Sequence, residues 1–197
     1  VPDYTNDRRF GYSVAISNNN KFVVGEPAVQ LDFYNAGAAY IYALDDNGNY
    51  TLEAQLYANY YVTDTLFGWS VDIHNDYVIV GAPGIYSSQG RAYIYEKTSN
   101  GWGDPVTNVS YRYQTTQLLA RTYANSDQFG LSVAIKNDTA YVGAFHKHDR
   151  RGEVFIFKRN NSVGSWGEES TLQKVRFESH SIRPFDSDRQ HNFGWSI

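Results

Sequence analysis

One short phrase recurs four times along this chain: Phe10-Gly11-Tyr12-Ser13, Phe67-Gly68-Trp69-Ser70, Phe129-Gly130-Leu131-Ser132 and Phe193-Gly194-Trp195-Ser196, each followed by Val or Ile. The copies begin 57, 62 and 64 residues apart. Self-similarity at such a period marks units that cannot bury their apolar faces singly and must stack on one another. A repeat architecture is therefore the first constraint on the fold.

Aligned on Phe-Gly, each unit holds short apolar or aromatic runs separated by turn residues, the spacing of an antiparallel meander. The runs are 10–16, 22–25, 38–44 and 50–58 in the first unit, 67–73, 77–81, 91–96 and 102–120 in the second, and 129–135, 140–144, 153–158 and 166–177 in the third. Between them stand Asn18-Asn19-Asn20, Asn47-Gly48, Asn75-Asp76, Asn100-Gly101 and Asn137-Asp138, residue types that tolerate the positive φ of tight hairpins. The 17 tyrosines, 11 phenylalanines and 16 glycines favour strands and turns, so almost no helix is expected. The third runs, Tyr40-Ile41-Tyr42, Tyr93-Ile94-Tyr95 and Phe155-Ile156-Phe157, are apolar on both faces and call for cover on both sides, as in stacked sheets.

The pattern Asp-x-x-Phe-Gly-x-Ser-Val, then Val-Val-Gly-x-Pro, then Gly-x-x-Tyr-Ile-Tyr resembles the FG-GAP repeat of integrin-α-like β-propellers, over essentially the whole chain. The resemblance implies an all-β fold: β-propeller blades of four antiparallel strands, at about 10–60, 67–122 and 129–178, with 193–197 opening a fourth blade. Integrin-type repeats often carry an aspartate-rich calcium loop between the first two strands. Here that place holds Ser17-Asn18-Asn19-Asn20, His74-Asn75-Asp76 or Lys136-Asn137-Asp138, too short and too poor in carboxylates for the six or more oxygens calcium takes. The chain resembles the calcium-free variety, and no metal or other cofactor is expected. In the third copy Asp127 stands two residues before its phenylalanine instead of three and Phe145 replaces the proline, so an irregular blade is expected there.

A propeller closes with roughly 4 to 8 blades, and three blades with the opening strand of a fourth do not close alone. Raw blade edges invite pairing with another chain. The expectation is a piece of a larger, seven-bladed propeller, or self-association through open blade edges. The chain contains no methionine, which reads Val1 as a processed or trimmed start.

A net charge of −4 and a pI near 5.7 give no overall attraction to nucleic acid or anionic lipid. No apolar run approaches the ~20 residues of a spanning helix, so no membrane span is expected. Without cysteine there is no disulfide and no thiolate nucleophile. No metalloprotease, nucleophile-elbow or phosphate-loop motif occurs, and the adjacent carboxylates Asp45-Asp46 and Glu168-Glu169 would point to opposite faces of a strand. Ser13, Ser70, Ser132 and Ser196 recur once per unit, as scaffold residues do. The chain reads as a non-enzyme.

In an up-and-down blade the hairpins between strands one and two and between three and four share one face. The longer connections, 28–37, 59–66, 84–90, 123–128, 146–152 and 179–192, share the other. Binding residues concentrate on loops held by a rigid scaffold, so the candidate binding face comprises Phe33, Tyr34, Tyr60, Tyr61 and Tyr86 with the basic residues His146, Lys147, His148, Arg150, Arg151 and Arg189. Aromatic and arginine side chains suit a carbohydrate, an acidic polymer or a protein partner. His146 and His148 have no third ligand at a telling spacing and read as loop residues. Glycosylation sequons stand at Asn49, Asn108, Asn137 and Asn160. The resemblance implies an extracellular protein, secreted or at the cell surface, working in adhesion, in carbohydrate or protein binding, or as a module of an extracellular assembly. Its alternatives are a fibril subunit and an accessory module of a polysaccharide-active enzyme.

Overall fold

Ser13, Ser70 and Ser132 each open the first strand of an antiparallel meander. The computed structural model describes residues 8–29, 36–58, 63–105, 111–113, 115–120, 122–150 and 152–160. Blade 1 consists of β1 (Ser13–Ile16), β2 (Lys21–Glu26), β3 (Ala38–Leu44) and β4 (Tyr50–Leu56), paired in that order. Blade 2 has β5 (Ser70–His74), β6 (Tyr77–Ala82) and β7 (Arg91–Thr98), with its fourth place filled by two pieces, β8 (Gly101–Trp102) and β11 (Thr116–Leu118), both paired to β7. Blade 3 has β12 (Ser132–Lys136), β13 (Thr139–Ala144) and β14 (Glu153–Lys158). Its fourth run at 166–177 and the strand expected at 193–197 lie outside the described residues. The only helical elements among the described residues are two single turns, α1 (Ile85–Ser88) and α2 (Lys147–Arg150), in the connections before β7 and β14.

The register repeats with the sequence. Ser13 faces Gly25, Ser70 faces Gly81 and Ser132 faces Gly143. The irregularity expected of the third unit is absent from its three described strands, whose pairing matches those of blades 1 and 2 residue for residue. β5 lies beside both β1 and β12, so the first strands form the hub.

Period-two alternation then sends one set of side chains forward and the other back. Val23, Ala39, Ile41 and Leu56 of blade 1 pack against Val71, Ile73, Val80 and Tyr93 of blade 2. Ile79, Ala92, Ile94 and Leu118 of blade 2 pack against Val133, Ile135, Val142 and Phe157 of blade 3. Most of the described core is thus two apolar layers between blades, which accounts for third strands that are apolar on both faces, and a smaller cluster of Val29, Ala38 and Tyr57 lies beside them.

Exposure follows position in the stack and not residue type. Phe67 and Phe129 are completely buried, whereas Phe10 is 56% exposed. Ile73 and Ile135 are 3% and 4% exposed, whereas the equivalent Ile16 is 72% exposed. Val14, Leu44, Tyr50 and Leu52 are also exposed in blade 1, so the blade presents an apolar face with no blade over it among the described residues, where its counterparts are roofed by the preceding blade.

The repeated phrase makes the joints. Gly68 and Gly130 adopt φ of 90° and 89°, a left-handed conformation that suits glycine. Their carbonyl oxygens accept hydrogen bonds of 2.9 Å from the hydroxyls of Ser70's counterpart one blade back, Ser13, and of Ser70 itself. The serines are therefore structural ties between blades. Gly25 and Gly81 complete each joint: a Cβ on Gly81 would lie 1.9 Å from the Gly130 carbonyl oxygen.

The long fourth run expected at 102–120 is interrupted. After β8 the chain leaves blade 2, forms the pair β9 (Asp104–Pro105) and β10 (Tyr111–Tyr113), and lays β10 parallel to β4 on the outer edge of blade 1. It then returns as β11.

The joint geometry makes a sharp prediction. Gly81→Ala should destabilise the protein by about 3 kcal/mol, the upper end for overpacking. Gly48→Ala, at φ 81° in an open hairpin with no atom near the added methyl, should cost only about 1–2 kcal/mol of backbone strain. Urea unfolding of the two variants checks the order, which equal losses would contradict.

Candidate functional site

At the loop-bearing end of the hub the chain makes the same turn three times. The amides of Tyr12, Trp69 and Leu131 donate to the carbonyls of Arg9, Leu66 and Gln128, each at 3.1 Å, and those three acceptors all have positive φ. Because Phe and Gly on one side and Ser on the other are committed to the joints, the intervening residue is free of them. Tyr12, Trp69 and Leu131 line a cleft of about 470 Å³. The Tyr12 and Trp69 rings touch, with centroids 4.6 Å apart and planes inclined at 47°.

The other wall comes from the connection between β13 and β14, through Phe145, His146 and Arg150, with Gln128 beside them. The Phe145 and His146 rings lie 3.9 Å apart at 38°. The His146 Nδ1 is 3.2 Å from the Ser126 carbonyl oxygen. That oxygen only accepts, so Nδ1 carries the proton and Nε2 is an acceptor in the neutral ring. Burial pushes the His146 pKa down, and the Arg150 guanidinium adds to this, while the Ser126 bond opposes both. Arg150 holds the turn through its amide, which donates to the His146 carbonyl at 3.0 Å, and adopts φ of 67°.

Of the basic group expected here, two members are already committed. Lys147 is buried, with Nζ 3.0 Å from Asp127 Oδ2 and 2.6 Å from the Thr122 carbonyl oxygen, pinning the turn to the linker before blade 3. His148 turns to Glu153 at 3.0 Å. Arg150 is exposed and has no carboxylate partner among the described residues. Arg151 and Arg189 lie outside them, as do Phe33, Tyr34, Tyr60, Tyr61 and Asn108.

Tyr86 is on the same face but does not line the cleft. It sits at φ 50° in α1 with its ring over Arg91, at 5.1 Å, and Tyr123 is 5.7 Å from the same guanidinium. Asn49 and Asn137 are exposed in hairpins of the opposite face, and Asn160 is partly buried just past β14. Asp45 Oδ1 accepts the amides of Asn47 and Asn49 at 2.9 and 2.8 Å, so the acidic Asp45-Asp46-Asn47-Gly48 segment is a self-bonded turn. Tyr12, Trp69, Gln128, Leu131 and Phe145 were not picked out from sequence. The variable third place of an otherwise repeated phrase was the available signal for three of them.

Stacked antiparallel meanders around a hub of first strands, with a cleft at the mouth of that hub, define a segment of a β-propeller. A family model for the FG-GAP repeat matches residues 2–42, 50–95 and 113–157, and the chain belongs to that repeat family. Among solved structures it is similar to a candidate 6-phosphogluconolactonase from Bacteroides uniformis, at 9% identity and a TM-score of 0.52, over 82% of this chain and 43% of that one. The chain therefore spans less than half the length of that structure, and the likeness is one of fold alone. No curated protein matches the chain.

The contact between Arg150 and His146 is open to direct test. Removing the guanidinium in Arg150→Ala should raise the His146 pKa towards its ordinary value while burial still holds it below. Imidazole carbon shifts followed by NMR across pH 4–8 report this, and an unmoved midpoint would show that the guanidinium does not act on the ring.

Proposed function

We propose that this chain is part of a non-enzymatic, extracellular β-propeller that binds a carbohydrate or protein partner in adhesion, using the mouth of its hub. The observation that carries the reading is the convergence, on one cleft and from three separate blades, of the Tyr12 and Trp69 rings, the polar Gln128 and His146 side chains, and an exposed arginine with no carboxylate partner among the described residues. Sites of this kind are largely apolar with a few placed polar groups, and loops on a rigid scaffold are where such groups gather. FG-GAP repeats are typical of extracellular proteins. Exposed sequon asparagines on the far face, Asn49 and Asn137, would let glycans sit away from the cleft. Arrays of immobilised glycans and matrix proteins test this: the wild-type chain should retain a defined subset of spots that Trp69→Ala loses. A variant with an unchanged array pattern would remove the cleft from the reading.

A second reading, a module of an extracellular assembly, is favoured by the uncovered face of blade 1. Blade 3 carries Tyr141 and Ile156, both partly exposed, at the register positions where blade 2 uses Ile79 and Ile94 to cover its neighbour. The occupant proposed for the open face is thus the blade 3 of a second copy. A head-to-tail contact of this type closes a ring or propagates as a filament. Sedimentation velocity should find concentration-dependent oligomers that Ile16→Lys abolishes. Because Ile16 is exposed, the substitution should leave the fold intact, and a wild-type monomer at every concentration would overturn this second reading.

A further inference from the structure

The cleft at the hub has a chemistry more specific than binding in general. Its volume falls within the roughly 300–1,000 Å³ of small-ligand sites, so it suits one unit or a few units of a ligand and not a broad macromolecular footprint. The Tyr12 and Trp69 rings, one exposed and the other half-buried, offer π-faces whose negative quadrupole attracts polarised C–H groups. The same cleft is lined by hydrogen-bonding groups of both senses: the Gln128 amide, and the His146 ring with its Nε2 an acceptor in the neutral form. One charge has no carboxylate partner among the described residues. Lys147 and His148 are consumed by Asp127 and Glu153, which leaves Arg150 as the cation lining the cleft without a carboxylate among the described residues.

A ligand matching these features has flat faces rich in C–H, hydroxyls at its edges and one anionic group. An acidic peptide would supply the charge but not the stackable face, and a neutral sugar would supply the face but leave the guanidinium unanswered. We propose that the cleft binds a uronate-bearing saccharide, its pyranose face against Tyr12 and Trp69 and its carboxylate on Arg150. Arginine engages a carboxylate through two parallel N–H···O bonds, a geometry that a methyl ester cannot reciprocate. This assignment rests on the reading of the cleft as a binding site.

The test is calorimetric titration of the intact chain with trigalacturonate, with its fully methyl-esterified form and with a poly-glutamate peptide of equal charge. Trigalacturonate should bind, the ester should bind about tenfold more weakly, and the peptide should not compete. Arg150→Ala should lose about tenfold towards the acid and nothing towards the ester, Arg150→Lys should recover part of that loss, and Trp69→Ala should abolish both. Unaltered thermal unfolding of the variants would separate binding from folding. Equal affinity for acid and ester would overturn the uronate assignment while leaving a saccharide site in place. Peptide binding without saccharide binding would overturn it in favour of a protein partner. No binding of any of these probes would likewise overturn it, and retention of array partners that Trp69→Ala releases would then show that the cleft binds something else.

Discussion

The fold depends on how closely two backbones meet at each blade junction. A Phe-Gly pair enters between blades, its phenylalanine fills the apolar layer, and its glycine carbonyl receives the serine hydroxyl from the blade before. The approach is possible because Gly25 and Gly81 present no side chain at the contact. One polar tie set beside one buried ring fixes both the separation and the rotation of successive blades. The same arrangement holds the first strands together at the hub, and the hub in turn positions the third residue of each phrase.

That logic separates what the residues reveal from what they conceal. Strand order and hairpins follow from local features that repeat: Asn and Gly turns, alternating apolar residues and the repeated serine. The interruption of the fourth strand in blade 2 was hidden, because residues 102–120 have strand composition throughout and only the tertiary pairing of β10 with β4 diverts them. The site was half legible. His146 and Arg150 are legible because long connections of a blade share a face, but the engagement of Lys147 with Asp127 and of His148 with Glu153 depends on partners that the fold brings near, and sequence spacing does not display them.

Tyr12, Trp69 and Leu131 illustrate a more general point about repeats. Within Phe-Gly-x-Ser the phenylalanine and glycine of the second and third copies and the serines of the first two are held at the blade joints, and the remaining place varies among tyrosine, tryptophan and leucine. In a repeat the positions that stay the same carry the scaffold. Those that drift, when the scaffold aims them at a common point, are where recognition is written.

The β9–β10 excursion has a consequence for how the two blades come apart. Blades 1 and 2 are tied at the hub by the Ser13 hydroxyl and at the outer perimeter by the parallel pairing of β10 with β4. A wedge opened at either end meets hydrogen bonds at the other, so the pair resists peeling much as a book clasped along its fore-edge resists opening from the spine. The clasp also occupies backbone groups on the rim of blade 1 that a bare edge would offer to a stray strand.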